Sequence, residues 1–264
     1  MIKDIKKKKE LQSISDSYVK EVLEKYLVQH PKARILLHTK NMRSKEYKKV
    51  VKEIRAILRR KYGLFRGDSQ NLLGLVSKVS KDKAVIKEIL SLHASTKERL
   101  DIYEKLYKRI FKITGKPSSI IDLGCGLNPF SLPYMKIKDL KYYAYDLSYD
   151  EVKAINSFFS ILKIKGKADV VDITKVKLQK ADVAFLFKMT DVIDKKGHKE
   201  TENVLKSIPC KHVVISFPTI TMSNKKMNFP RRKWLELLCE RLGYEVKLLD
   251  FPKELFYVIT KNTE

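Results

Sequence analysis

Cysteine is scarce in this sequence. Cys125, Cys210 and Cys239 are the only three in 264 residues. They lie far apart and form no C-x-x-C pair, so neither a zinc site nor a disulfide framework is indicated, and a reducing compartment is expected. Long apolar runs are missing as well. Stretches such as "VVISF" at 213–217 fall far short of the roughly 20 residues of a membrane span. The opening "MIKDIKKKKELQSI" has no apolar core of a secretory signal, which makes the cytoplasm the expected location and excludes a membrane partner. The five histidines do not cluster, no internal repeat occurs, and the lysine run at 6–9 is the one low-complexity stretch. Without a long heptad seam, a monomer is expected.

Acidic residues are also in short supply. Asp and Glu total 31 against 56 Lys and Arg, a net charge of +25, in a chain whose 44% hydrophobic content describes a globular protein. Such an excess repels itself in a compact state, and its usual reason is a polyanionic partner. The first 92 residues hold 24 of the bases and 10 of the acids, a net of +14. Within them, "RSKEYKKVVKEIRAILRRKY" spaces Tyr47, Val50, Val51, Ile54, Ile57 and Leu58 as one helical face. Arg43, Lys48, Lys52, Arg55, Arg59 and Arg60 fall mostly on the other side and are the expected RNA contacts. Basic helical faces with few interleaved aromatics suit phosphate and the shape of a folded RNA more than unpaired bases. Residues 1–92 are therefore expected to form a basic helical RNA-binding domain. A loop is expected over 62–74, where "YGLFRGDSQNLLG" supplies three glycines.

From 93 the pattern changes. "HASTKERLDIYEKLYKRIFKITG" offers Ser95 as an N-cap with Glu98 three residues on, a capping box opening one helix. Short apolar runs then follow: "SSIIDL", "KYYAYD", "KADVVD", "ADVAFLF", "KHVVISF", "YEVKLLD" and "LFYVIT", with helices expected at 149–163, 197–208 and 230–242. The first five strands alternate with helices, which argues for a parallel sheet, and the last two form an antiparallel hairpin. The expected fold class over 93–264 is α/β, with a seven-stranded, mostly parallel sheet; seven strands ending in such a hairpin resemble the layout of the Rossmann-like methyltransferases. Trp234, with Leu235, Leu237 and Leu238, is expected in the core.

"IIDLGCGLNP" at 120–129 carries the chemistry. A dinucleotide fingerprint needs a third glycine where Pro129 stands, and no G-K-[ST] follows for a P-loop. Asp146 closes the next strand, 24 residues after Asp122, where a carboxylate can accept both hydrogen bonds of a ribose diol. A nucleoside without a pyrophosphate fits, and S-adenosylmethionine meets that description. The plain alternative is a tight turn at Gly124 and Gly126 with a helix cap at Asp146.

"HASTKER", "IIDLGCGLNPFSL", "YAYD", "FLFKM" and "VISFP", in this order and at these separations, resemble the aminoglycoside-resistance 16S rRNA (guanine-N7) methyltransferases. The resemblance covers about 93 to 260, and over the first 92 residues it is architectural only. It implies S-adenosylmethionine as cofactor and 16S rRNA within the 30S subunit as partner, with N7 of a decoding-site guanine as the target. It also implies that Arg99 binds the cofactor's methionine carboxylate. Asp122, Gly124, Cys125 and Gly126 would hold its amino-acid portion, and Asp146, with Leu147 beside it, the ribose. Asp172 and Ile173 would meet the adenine. Phe187 joins the cofactor set, and Lys188, past the fourth strand, would contact the target nucleotide as the catalytic residue. The segment "TITMSNKKMNF" after "SFP" departs from the family's glycine-containing stretch, which leaves Ser223 open while keeping Lys225 and Lys226 as RNA contacts.

Methyl transfer to N7 engages a lone pair that carries no proton, so positioning is most of the work and no general base is needed. Exocyclic amino methylation is disfavoured, because "FKMT" stands where a D/N-P-P-Y/F segment would. Carbon-5 methylation needs a cysteine nucleophile, and Cys210 precedes its strand, at the wrong edge. His93 is expected to cap or orient its segment, and Tyr134, Tyr149, Phe187 and Phe217 are candidate stacking partners for an extruded base. Two other readings stay open: a methyltransferase for adenine N1 of rRNA or for a tRNA base, and a non-catalytic RNA-binding module on the same scaffold.

Overall fold

The structure, a computed structural model, describes residues 1–38, 43–59, 71–79, 84–194, 197–221 and 225–262. Four helices open the chain: α1 (Ile2–Ile5), α2 (Asp16–Gln29), α3 (Pro31–His38) and α4 (Lys45–Leu58). Serines start the two long ones. Ser15 accepts the Tyr18 amide at 3.3 Å and Ser44 the Tyr47 amide at 3.1 Å, each satisfying a donor the helix cannot. On α4 the expected face is buried: Val50, Val51, Ile54 and Leu58 meet Ile5, Leu11, Val19 and Val22 in a small core of their own.

Among the described residues of the N-terminal helices, Leu58 is the last in that core. After it come α5 (Leu72–Val76), α6 (Ala84–Ser91), α7 (Ala94–Lys97) and α8 (Tyr103–Thr114). Leu72, Leu75, Val76, Ile86 and Ile89 pack in the same cluster as Tyr107, Phe130 and Phe158, against the sheet. The packing thus divides between 58 and 72, whereas the sequence reading divides the chain at 92. A short chain of apolar helices gives no signal of which core it joins. Of the expected loop at 62–74, residues through 70 lie outside the described ones, and from Leu72 the chain is helical.

The capping box at Ser95 and Glu98 does not form. A four-residue helix and a turn occupy 94–102, and α8 begins only at Tyr103. Its apolar stripe runs through Tyr103, Leu106, Tyr107 and Ile110 to Gly115, whose φ of 76° ends it.

Seven strands follow: β1 (Ser119–Leu123), β2 (Lys141–Asp146), β3 (Lys165–Val170), β4 (Ala181–Phe187), β5 (Cys210–Pro218), β6 (Glu245–Phe251) and β7 (Glu254–Thr260). Their order is β3-β2-β1-β4-β5-β7-β6, parallel from β3 to β5, with β7 antiparallel to both neighbours. Interleaved are α9 (Tyr149–Ile161), α10 (Thr190–Ile193), α11 (Lys199–Ser207) and α12 (Lys233–Arg241). Side-chain alternation divides the sheet between two cores. Ile120, Tyr142, Val183, Phe185 and Phe256 face one, while Ile121, Leu123, Ala184, Ile215 and Tyr257 face the other. The ladder of β3 closes at Val170, so "KADVVD" is strand only through its first valine, and Asp172 hangs beyond the edge. On α12, Leu237 is 64% exposed and Trp234 half-buried, stacked on His198 at 3.7 Å; of the four residues expected in the core, Leu235 and Leu238 are buried.

Candidate active site

The carboxyl ends of the parallel strands surround a cleft of about 960 Å³, open mouth included. Its floor is the turn after β1. Gly124 and Gly126 adopt φ of 65° and 48°, a region glycine enters without steric cost. A Cβ on Gly124 would sit 2.3 Å from the Met189 sulfur, so a side chain there would displace the methionine that packs on the turn. The Gly124 and Cys125 amides donate to the Tyr145 carbonyl at 2.8 and 3.0 Å, tying the turn to the adjoining strand.

Asp146 stands at the end of β2, 5% exposed, with its carboxylate oriented by two backbone amides. Gly126 donates to Oδ2 at 2.9 Å and Ser148 to Oδ1 at 3.0 Å. Leu147, Asp172 and Ile173 continue this wall. Asp172 holds its own loop, accepting from the Thr174 amide at 3.0 Å and hydroxyl at 2.7 Å. The opposite wall has Arg99, Phe187 and Lys188. Ten of the eleven residues expected around the cofactor and target therefore converge on one cavity.

Asp122 is the exception. It is 1% exposed beneath the turn, where Oδ2 accepts from Asn128 Nδ2 at 2.9 Å and the Tyr142 hydroxyl at 2.6 Å, and it does not line the cleft. Burial pushes its carboxyl up to about 6 against the pull of those two donors. Its place is the scaffold of the glycine turn. Alternation along β1 explains this: one residue before the strand's end, its side chain points into the helix layer that carries Asn128.

The far wall is an ionic network rather than a lone arginine. Arg99 gives Nε and Nη2 to the two oxygens of Glu254 at 2.9 and 2.7 Å, with Phe187 beneath the guanidinium at 4.8 Å. Lys188 Nζ lies 2.5 Å from Glu98 and 3.6 Å from Glu254. Burial alone would raise the Glu254 carboxyl, but the Arg99 and Lys188 charges outweigh it and hold it below its ordinary value. Lys188 also takes φ of 56°, its amide donating to the Ser216 carbonyl at 3.1 Å and hydroxyl at 3.0 Å. Its ammonium thus lies between two carboxylates at the cleft wall. Glu98 and Glu254 escaped the sequence reading as site residues. The available signal was a lone acid opening the apolar strand "ELFYVIT"; because β7 runs antiparallel, its first residue pairs with Pro218, at the edge where the cleft lies.

His93 and Ser95 line the cleft too, as does α10 through Val192 and Ile193. His93 opens α7 at the N-cap position without a side-chain cap bond, and its Nε2 lies 3.2 Å from buried Glu151 on α9. Among the stacking candidates Tyr149 alone is exposed, at 60%; Phe217 is fully buried and Tyr134 packs on Tyr103. Cys210 opens β5 opposite Ala181, at the amino edge, where burial pushes its thiol up to about 11.

The expected RNA contacts divide. Arg43, Lys48 and Lys52 are exposed, and so are Lys225 and Lys226 on the loop after β5. Arg55 is instead half-buried, its guanidinium donating to the Asp4 and Ile5 carbonyls, which binds α1 to α4. Arg59 is paired with Glu10 at 2.6 Å. Arg60 and Ser223 lie outside the described residues.

The strand order, the glycine turn after β1 and the acidic end of β2 together define a Rossmann-like methyltransferase. Residues 35–258 match the family described as ribosomal RNA methyltransferase (FmrO), and the chain belongs to that family. A 16S rRNA (guanine(1405)-N(7))-methyltransferase of Proteus mirabilis is 27% identical over 240 residues, covering 81% of this chain and 85% of its own. One of the same name from Serratia marcescens is 29% identical, covering 67% and 70%. Among solved structures, the 16S rRNA methyltransferase RmtF in complex with S-adenosyl-L-homocysteine superposes with a TM-score of 0.81 at 22% identity, over 99% of this chain and 96% of its own. The 16S rRNA methylase ArmA gives 0.60 at 28% identity, over 72% and 98%.

Proposed function

We propose that the chain transfers a methyl group from S-adenosylmethionine to N7 of a guanine in the 16S rRNA of the small subunit, acting as a monomer. The observation that carries this reading is the amide-oriented Asp146 carboxylate beside a turn whose positive φ favours glycine, both at the carboxyl edge. Those residues fit the cofactor's polar groups. Asp146 offers acceptors for a ribose diol, Asp172 and Ile173 a polar and an apolar edge for adenine, and the Gly124–Gly126 backbone room for the amino-acid portion. Arg99 supplies positive charge for a carboxylate at the far end.

When bound, S-adenosylmethionine supplies a methyl group activated by a sulfonium. The chain's own task is to hold donor and guanine in line and to exclude water, because N7 attacks with a lone pair and no proton has to move. Lys188 acts in this reading as a positioning residue: with Glu98 and Glu254 it fixes Arg99 and the β4 edge. The exposed lysines of α4 and of the loop after β5 meet rRNA phosphates.

The test is labelled-methyl transfer to purified 30S subunits and to naked 16S rRNA, followed by chemical cleavage at N7-methylguanine. The expected result is one labelled guanine in the 30S subunit. Label on an adenine, or on tRNA alone, would replace the target, and cofactor binding without transfer to any RNA would favour a non-catalytic module.

A further inference from the structure

One wall of the cleft is supplied by the N-terminal helices. Tyr18 sits in the first turn of α2, is 6% exposed and lines the cavity together with Asp146 and Asp172. Its position is held by a strap of contacts to the loop that carries Asp146. The Ser15 amide donates to the Leu147 carbonyl at 3.3 Å and the Tyr149 amide to the Ser13 carbonyl at 2.9 Å. Ile14 and Ser148 form an antiparallel bridge, and the Ser13 hydroxyl donates to Asp150 at 2.5 Å. Leu147 packs against the N-terminal core. One helical turn after Tyr18, Glu21 pairs with Lys175, which follows the Asp172 loop. The first turns of α2 thereby clamp both loops that present carboxylates to the cleft. Burial, with the Asp172 and Glu21 carboxylates nearby, holds the Tyr18 phenol above its ordinary range.

An aromatic ring with a protonated hydroxyl, placed beside these carboxylates, can cover a purine or donate to a ribose oxygen. Resting on the cofactor reading above, we infer that Tyr18 is part of the methyl donor's seat. It contacts the nucleoside end, so cofactor occupancy and the docking of the basic helices are one linked equilibrium. Linkage is reciprocal: whatever stabilises the docked helices tightens cofactor binding by the same factor, and cofactor stabilises the docking.

The full chain and its Tyr18→Ala and Tyr18→Phe variants decide the matter by calorimetric titration with S-adenosylhomocysteine and with methylthioadenosine, which lacks the amino-acid end. Tyr18→Ala is expected to lose about tenfold or more in affinity for both ligands, by equal factors, while Tyr18→Phe stays within about threefold of the parent. Affinity of Tyr18→Ala within about twofold of the parent for both ligands would overturn the inference. If that variant does not fold, hydrogen exchange on the parent serves: slower exchange of the α2 amides on adding S-adenosylhomocysteine supports it, and unchanged exchange overturns it. A parent chain that binds neither ligand would instead sink the cofactor reading itself.

Discussion

Glu254 and Asp122 are both buried carboxylates, and they do opposite things. Glu254 is enclosed with Arg99 and Lys188, and its charge is what makes their burial tolerable. Removing one partner of such a pair strands the other, so Glu254→Ala is expected to cost about 3–5 kcal/mol in urea unfolding. Asp122 has no cation in contact, and burial raises its carboxyl from 3.8 to about 6. Across that interval the folded chain keeps a proton the unfolded chain has released. The contribution of Asp122 to stability is therefore full below 3.8 and is lost as pH rises to about 6. Asp122→Asn cannot titrate. Its stability relative to the parent should climb through that window, by about 1.4 kcal/mol per unit of separation at most, and level off above it. A difference independent of pH would contradict the assignment. At this scale Asp146, Gly124 and Gly126 were legible, because strand ends fix where such residues must lie. Glu254 was not, since its partner Arg99 is 155 positions away in the chain.

Helix α4 shows how far periodicity reads. Its buried face matches the apolar spacing, but spacing treats every base on the other side alike. Contacts separate them: Arg55 is committed to carbonyls of α1 and Arg59 to Glu10, while Lys48, Lys49 and Lys52 face solvent. Reversing Lys48, Lys49 and Lys52 to Glu together should weaken 30S binding by about tenfold or more and flatten its salt dependence, leaving S-adenosylhomocysteine affinity unchanged. Arg55→Glu should instead lower stability, because it strips α1 of its anchor. Filter binding across a salt series, with thermal melts of each variant, checks both. The seven strands were legible as short apolar runs, but the expected alternation with helices breaks between β3 and β4, which a loop joins. The capping box at Ser95 was misleading: Glu98 is drawn to Lys188, and the chain turns before α8 can begin.

At the scale of the whole molecule, the small N-terminal core meets the sheet and its two cores at the cofactor cleft. The sheet core takes in the helices from Leu72 onward, and the small N-terminal core docks through α2 on the loop after β2. Composition made the basic N-terminal part visible. It could not say that this part also closes a cavity, because such a contact leaves no periodic trace in either segment. The chain contains no helix, among its described residues, long and apolar enough to cross a membrane. The central claim is that the cleft between the glycine turn and Asp146 seats a methyl-donating nucleoside. Its most direct test is a crystal structure of the full chain with S-adenosylhomocysteine. The account predicts the ribose on Asp146, the adenine beside Ile173 and the amino-acid end toward Arg99; a ligand bound elsewhere, or a cleft filled by the chain's own side chains, would contradict it.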